Sequence, residues 1–230
     1  MRKQIFFWAV FLAMLFLMGC NSNTAEEKKI IQTSYGALEL SGDFITKLRE
    51  MNESMKAQYS QLDAKMCVTL ESNDPLIRNT AVSIVSSIES NSWSAERLLA
   101  LYSFMKKNIA YVEDPIGAEY IATATETLTV GGGDCEDQAS LIASMIRSVG
   151  GRAIIAYSLS CGHAVAFAYI GTAEQMDTVG DELASLYGQT YLPYTYIQDD
   201  AGYWLVIDPA GGQYLGDTFD SCTEFRTLSC

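Results

Sequence analysis

The chain has 230 residues, 49% of them hydrophobic and 19% charged, which suits one domain with a sizeable core plus appendages. Its formal charge of -13 argues against a nucleic-acid partner, which needs Lys and Arg gathered on one face. It carries no internal repeat, and no membrane-length apolar segment follows the N-terminal one.

Residues 1–20 read as a secretory leader. Arg2 and Lys3 precede an apolar run, IFFWAVFLAMLFLMGC from Ile5, that is short for a membrane span. It closes on Leu17-Met18-Gly19-Cys20, which resembles the prokaryotic lipobox. Cys20 is therefore the expected lipidation site, and the mature chain is expected to be an extracytoplasmic, membrane-anchored lipoprotein. An uncleaved signal anchor is the alternative, and it too places the domain outside the cytoplasm. Loss of Arg2 and Lys3 with the leader takes the formal charge from -13 to -15.

Residues 21–34 are polar and without periodicity, as a tether would be. Residues 35–70 hold an N-terminal helix. Phe44, Leu48, Met51, Met55, Tyr59, Leu62 and Met66 recur at helical spacing, giving either a coiled-coil seam or, as preferred here, a helix laid on its own domain. Residues 71–230 are the main domain. Asp74-Pro75 is a helix start with a stripe of Ile77, Ala81, Ile84 and Ile88, and Ser94 opens a second helix through Leu98, Leu101, Tyr102 and Met105. The Thr- and Ala-rich stretch 117–130 is a short helix or a loop.

The stretch Gly131-Gly132-Gly133-Asp134-Cys135-Glu136-Asp137-Gln138 organises the rest. Its glycines permit a sharp turn, Asp134 stands as an N-cap, and the helix that follows stops at Gly150-Gly151. Cys135, Ala139, Ile142 and Ile146 share one apolar face, so a thiol sits on the first helical turn, where the helix terminus favours the thiolate. Beyond it the period changes to two. Residues 152–160, 163–170 and 203–208 read as strands, with an insertion at 171–202 whose first part is helical and interrupted by Gly180. Tyr187, Tyr191, Tyr194 and Tyr196 make that insertion aromatic, a flap or a substrate groove.

His163, the single histidine, begins one strand, and Asp208 ends another. Antiparallel neighbours would bring them to one edge of the sheet, on the face that receives the central helix, with Cys135 beside them. Cys135 is then the nucleophile, His163 the base, and Asp208 the group that orients the ring. The Cys135 N–H is a natural oxyanion donor, and Tyr111 and Gln138 are the two candidates for a side chain that would complete the hole. Asp134, Glu136 and Asp137 crowd the thiol with negative charge, and the imidazolium and helix terminus are expected to outweigh them. Cys67, Cys161, Cys222 and Cys230 remain for two disulfides in an exported chain, with three connectivities open and a local Cys222–Cys230 pair weakly preferred.

GGGDCEDQASLIASMIRSVGGRA, then GHAVAF, then YWLVIDP resembles the transglutaminase-like superfamily, whose motifs fall here at Gly131 to Cys135, Arg147 to Gly150, His163, and Trp204 to Pro209. The resemblance covers about residues 75–215. It implies an α+β, papain-like core with the catalytic helix packed on an antiparallel sheet, and acyl transfer from an amide through a thioester. The interval from His163 to Asp208 is lengthened by the insertion. The function expected is amide or isopeptide hydrolysis, as a cysteine peptidase or amidase acting on a protein or cell-envelope peptide, because one small domain offers no second-substrate module. A cross-linking acyl transferase, a non-catalytic peptide-binding module of the same fold, and an accessory protein dimerising through residues 43–66 are the alternatives. No cofactor is expected, and no metal, since no oxygen-rich loop of calcium-binding spacing is evident.

Overall fold

The computed structural model describes residues 29–33, 36–88, 94–115, 120–158, 161–222, 224–228 and 230; the leader and Cys20 lie outside them. Among the described residues no helix is long and apolar enough to cross a membrane. They fall into two compact units that divide after Gln61.

In the first unit, β1 (Lys29–Thr33) and β2 (Gly36–Leu40) pair antiparallel, Lys29 opposite Leu40 and Thr33 opposite Gly36. Strand β1 thus lies within the stretch read as a tether, where so short a ribbon leaves no long alternation to detect. Helix α1 (Gly42–Thr69) then crosses from the first unit into the second. Along its apolar spacing Leu48 and Met66 are buried while Phe44 and Met51 are exposed. The side chains of Met55 and Tyr59 lie outside the described residues.

The second unit holds α2 (Pro75–Val85), α3 (Ala95–Asn108), β3 (Ala110–Tyr111), α4 (Ala124–Val130), β4 (Gly132–Gly133) and α5 (Cys135–Ser148). Asp74 caps α2 by accepting from the Leu76 and Ile77 N–H groups, and Ser94 caps α3, as their sequences require. The ambiguous 117–130 stretch contains the short helix α4, capped by Thr123. The chain continues through β5 (Ala153–Ser158), β6 (His163–Gly171), α6 (Ala173–Leu186), β7 (Tyr196–Asp199), β8 (Gly202–Ile207) and β9 (Phe225–Thr227). The last five strands form one antiparallel sheet in the order β7-β8-β6-β5-β9.

Helix α5 is the centre of this unit and is buried on nearly every side. It packs on β5 and β6 through one face and meets α2, α3 and α4 with the others. The sheet face it contacts is made small by Ala164, Ala166 and Ala168, which share a core cluster with Ala139, Ile142 and Ile146. Serines on the other faces are buried without loss because they are hydrogen-bonded: Ser140 Oγ lies 2.6 Å from Thr69 Oγ1, and Ser144 Oγ accepts from Glu71 N at 3.0 Å. The opposite sheet face carries a second cluster of Ala156, Val165, Phe167, Trp204 and Val206.

Helix α6 runs unbroken through Gly180, contrary to the interruption expected there. The glycine serves packing: a Cβ at that position would stand 2.6 Å from Tyr194 Cε1. Strands β7 and β9 are short, and neither was expected from the sequence.

Two disulfides close the second unit, Cys67–Cys230 and Cys161–Cys222, so the local Cys222–Cys230 pairing does not form. Chain proximity was the wrong guide, because the sheet brings the loop before β6 against the loop before β9. Cys135 is the one free cysteine among the described residues.

Candidate active site

The glycine turn is held from both sides. Gly131 takes a left-handed φ of 74° as the cap of α4, and Ala110 N and Val112 N donate to Gly131 O and Gly133 O at 2.9 and 3.1 Å. A Cβ at Gly133 would meet the Asp137 side chain at 2.6 Å. Asp134 and Asp137 form a full capping box, with each side chain accepting from the other's N–H, and Asp137 Oδ1 also accepts from Ala122 N at 2.7 Å. Helix α5 therefore begins at a fixed point with Cys135 on its first turn. Its far end is stopped by Gly150, with Gly151 N donating to Ile146 O at 3.0 Å.

His163 opens β6, and β8 lies beside it, antiparallel, with Ala166 opposite Ile207. His163 Nε2 and Asp208 Oδ2 are 2.9 Å apart, both residues buried. Asp208 is fixed in turn: Thr218 Oγ1 donates to Oδ2 and Gly211 N donates to Oδ1, each at 2.8 Å. Helix α3 anchors the following loop, since Tyr102 OH and Lys106 Nζ donate to Gly212 O at 2.9 and 3.1 Å. The Phe219 ring sits edge-on to the imidazole with centroids 4.9 Å apart.

Strand alternation sets His163 on the face of Val165 and Phe167, not on the alanine face that receives α5, and Asp208 follows the end of β8. The expectation that His163 lies beneath the apolar side of the helix is corrected accordingly. Cys135 lies by the start of β6, where the main-chain N–H of Ala164, the residue after His163, favours its thiolate. With Nε2 on the carboxylate, Nδ1 is the nitrogen left to accept a proton.

The electrostatics around the thiol run against the sequence expectation. Burial pushes the Cys135 thiol well up, and Glu136 adds to this both by its charge and by accepting from Sγ at 2.8 Å. The Ala164 N–H opposes the shift without reversing it. Burial likewise raises the carboxyls of Asp134 and Glu136, and lifts Asp137 to about 6. Burial is the largest cause of the raised thiol, and the charges of Glu136 and Asp134 add to it.

Of the two oxyanion candidates, Gln138 is buried with its Nε2 donating to Gly133 O at 3.0 Å, so its amide braces the glycine turn. Tyr111 is 53% exposed, and burial followed by the charge at Cys135 raises its phenol. One group among the described residues has ligand atoms close enough for a metal ion: Asp134, Cys135 and Glu136, within 4.8 Å of one another. A calcium-loop spacing in the sequence gives no sign of that convergence. Thr218, Gly211 and Phe219 were likewise not expected at the site. Asp208 followed by Gly211 and Gly212 is a legible turn signal for the second of these, but nothing local marks the other two.

Residues 78–209, more than half of the chain, match the family model of the transglutaminase-like superfamily. Similar solved structures include a candidate cysteine protease from Cytophaga hutchinsonii, at 18% identity and TM-score 0.41, covering 65% of this chain and 41% of that one. Another is the EGTA-treated form of Legionella pneumophila LapG, at 19% identity and TM-score 0.40, covering 72% and 78%. A candidate protease from Parabacteroides distasonis, at 15% identity and TM-score 0.38, is covered over 30% of its own length. Comparison with curated proteins finds no match.

Proposed function

Since the chain belongs to the transglutaminase-like superfamily, we propose that it is an exported, lipid-anchored cysteine enzyme that hydrolyses an amide or isopeptide bond in a protein or cell-envelope peptide. The observation that carries this reading is the buried His163–Asp208 contact at 2.9 Å, with the free Cys135 opening helix α5, which packs on the strand that His163 begins.

The Cys135 sulfur attacks the carbonyl carbon while its proton passes to His163 Nδ1. The main-chain N–H of Cys135 faces the developing oxyanion, and Tyr111 is the candidate side chain to join it. His163 then gives that proton to the departing nitrogen, the C–N bond breaks, and a thioester remains. Water attacks the thioester with His163 as base; the C–S bond breaks, the acid leaves, and the thiol regains its proton. Asp208 keeps the ring in the tautomer and orientation both halves need. Because burial and Glu136 hold the resting thiol protonated, the proton moves during attack rather than from a standing ion pair.

The test is covalent labelling of Cys135 by iodoacetamide at neutral pH, expected in the native protein and lost in His163→Ala. Equal labelling of the two proteins would overturn the assignment of His163 as base. The non-catalytic reading draws on one observation, the thiol held on Glu136 at 2.8 Å, and predicts that equal, slow labelling.

A further inference from the structure

A cleft of about 480 Å³ has walls that include two residues in contact with the His163–Asp208 pair. Thr218 and Phe219, which touch Asp208 and the His163 ring, also line the cleft, so an occupant is separated from the pair by a single side chain. Its other walls include Tyr194, Tyr196 and Tyr214, with Asp217 and Asp220; among the described residues no Lys, Arg or His lines it.

Three features indicate what fits. The aromatic wall is already in place: Tyr194 is seated on Gly180 and Gly216, Tyr196 packs on Tyr203 at 5.6 Å, and Tyr214 on Tyr187 at 5.9 Å. A preformed wall binds without the cost of ordering its side chains. Tyr196 belongs to β7, the outermost strand of the sheet. Val206 N donates to Thr195 O at 3.0 Å, so by antiparallel alternation the main-chain groups of Tyr196 and Gln198 point away from β8, where an extended peptide can pair with them. Finally, aromatic faces combined with carboxylates and no opposing positive charge suit a cationic side chain.

We propose that this cleft is a substrate subsite for an extended peptide segment, and that it selects a Lys or Arg side chain on that segment. The proposal rests on Cys135 as nucleophile only for its meaning; the binding itself does not require turnover. Cys135→Ala protein is titrated with short capped peptides in an Ala/Ser background whose central residue is Lys, Ala or Glu. The Lys peptide is expected to bind roughly tenfold more tightly than the Glu peptide. It is also expected to slow hydrogen exchange at the amides of Tyr196 and Gln198. Asp220→Asn, an exposed change that leaves the core intact, is expected to cut the Lys preference several-fold. Equal affinity for the three peptides, absence of binding, or exchange protection elsewhere than β7 would each overturn the subsite. Failure of the catalytic reading shows separately, as iodoacetamide labelling of the native thiol that ignores His163.

Discussion

His163 and Asp208, separated by 45 positions, are joined by a buried contact of 2.9 Å, and Thr218 donates to the same carboxylate oxygen at 2.8 Å. One oxygen therefore serves the imidazole and a hydroxyl, while Gly211 N occupies the other. We predict that Asp208→Asn lowers turnover by roughly 10²–10⁴-fold, the range associated with loss of a positioned general base. Thr218→Val removes one buried hydrogen bond, worth about 1 kcal/mol, and lowers kcat roughly fivefold; Thr218→Ser restores it. Thr218→Val with native kcat would show that Asp208 holds its place without the hydroxyl.

Glu136 raises the Cys135 thiol by charge and by accepting its hydrogen bond, after burial itself. Glu136→Gln removes the charge, so the thiol becomes more acidic and a larger fraction of it is thiolate at neutral pH. Iodoacetamide labelling is expected to speed up severalfold, by at most roughly tenfold for a tenfold gain in thiolate. Slower labelling in the variant would instead make Glu136 the acceptor of the thiol proton.

The Cys161–Cys222 disulfide ties the residue two before His163 to the loop that carries Thr218 and Phe219. Opening it with the paired Cys161→Ser and Cys222→Ser changes is expected to lower both stability and turnover. Opening Cys67–Cys230, which joins α1 to the chain end, is expected to lower stability alone. Each loop closure is worth up to about 4–5 kcal/mol in the chain-entropy model. Thermal melts beside a rate assay separate the two effects, and equal loss of rate from both pairs would refute the distinction.

Acidification should stabilise the second unit. Burial lifts Asp137 to about 6, and it raises Asp134 and Glu136 in the same direction. A carboxyl that keeps its proton longer when folded adds stability below its unfolded pKa, and that stability is lost as pH rises through its folded value. The Tm is therefore expected to be higher near pH 5 than near pH 7, by about 2–4 °C for each kcal/mol involved. Asp137→Asn should flatten the profile, and a Tm that climbs from pH 5 to pH 7 would contradict the assignment.

Much of this was legible in the chain itself. The caps at Asp74, Ser94 and Asp134, the glycine turn, and the apolar stripe of α5 are local features, since each rests on residues within one or two turns of one another. The alternation of β6 and β8 likewise made His163 and Asp208 candidates for one sheet edge, and those strands are neighbours. Strand β7 was harder to see: at four residues it is too short for a clear period.

Tertiary structure decided what depends on contacts between distant segments. Which cysteines pair follows from which loops the sheet brings together, and separations of 163 and 61 residues leave no trace in local spacing. The same holds for Thr218 on Asp208, and for the cleft that Thr218 and Phe219 line. The thiol's electrostatics belong here too: sequence placed the carboxylates near Cys135, but only burial removed the water that would have screened them.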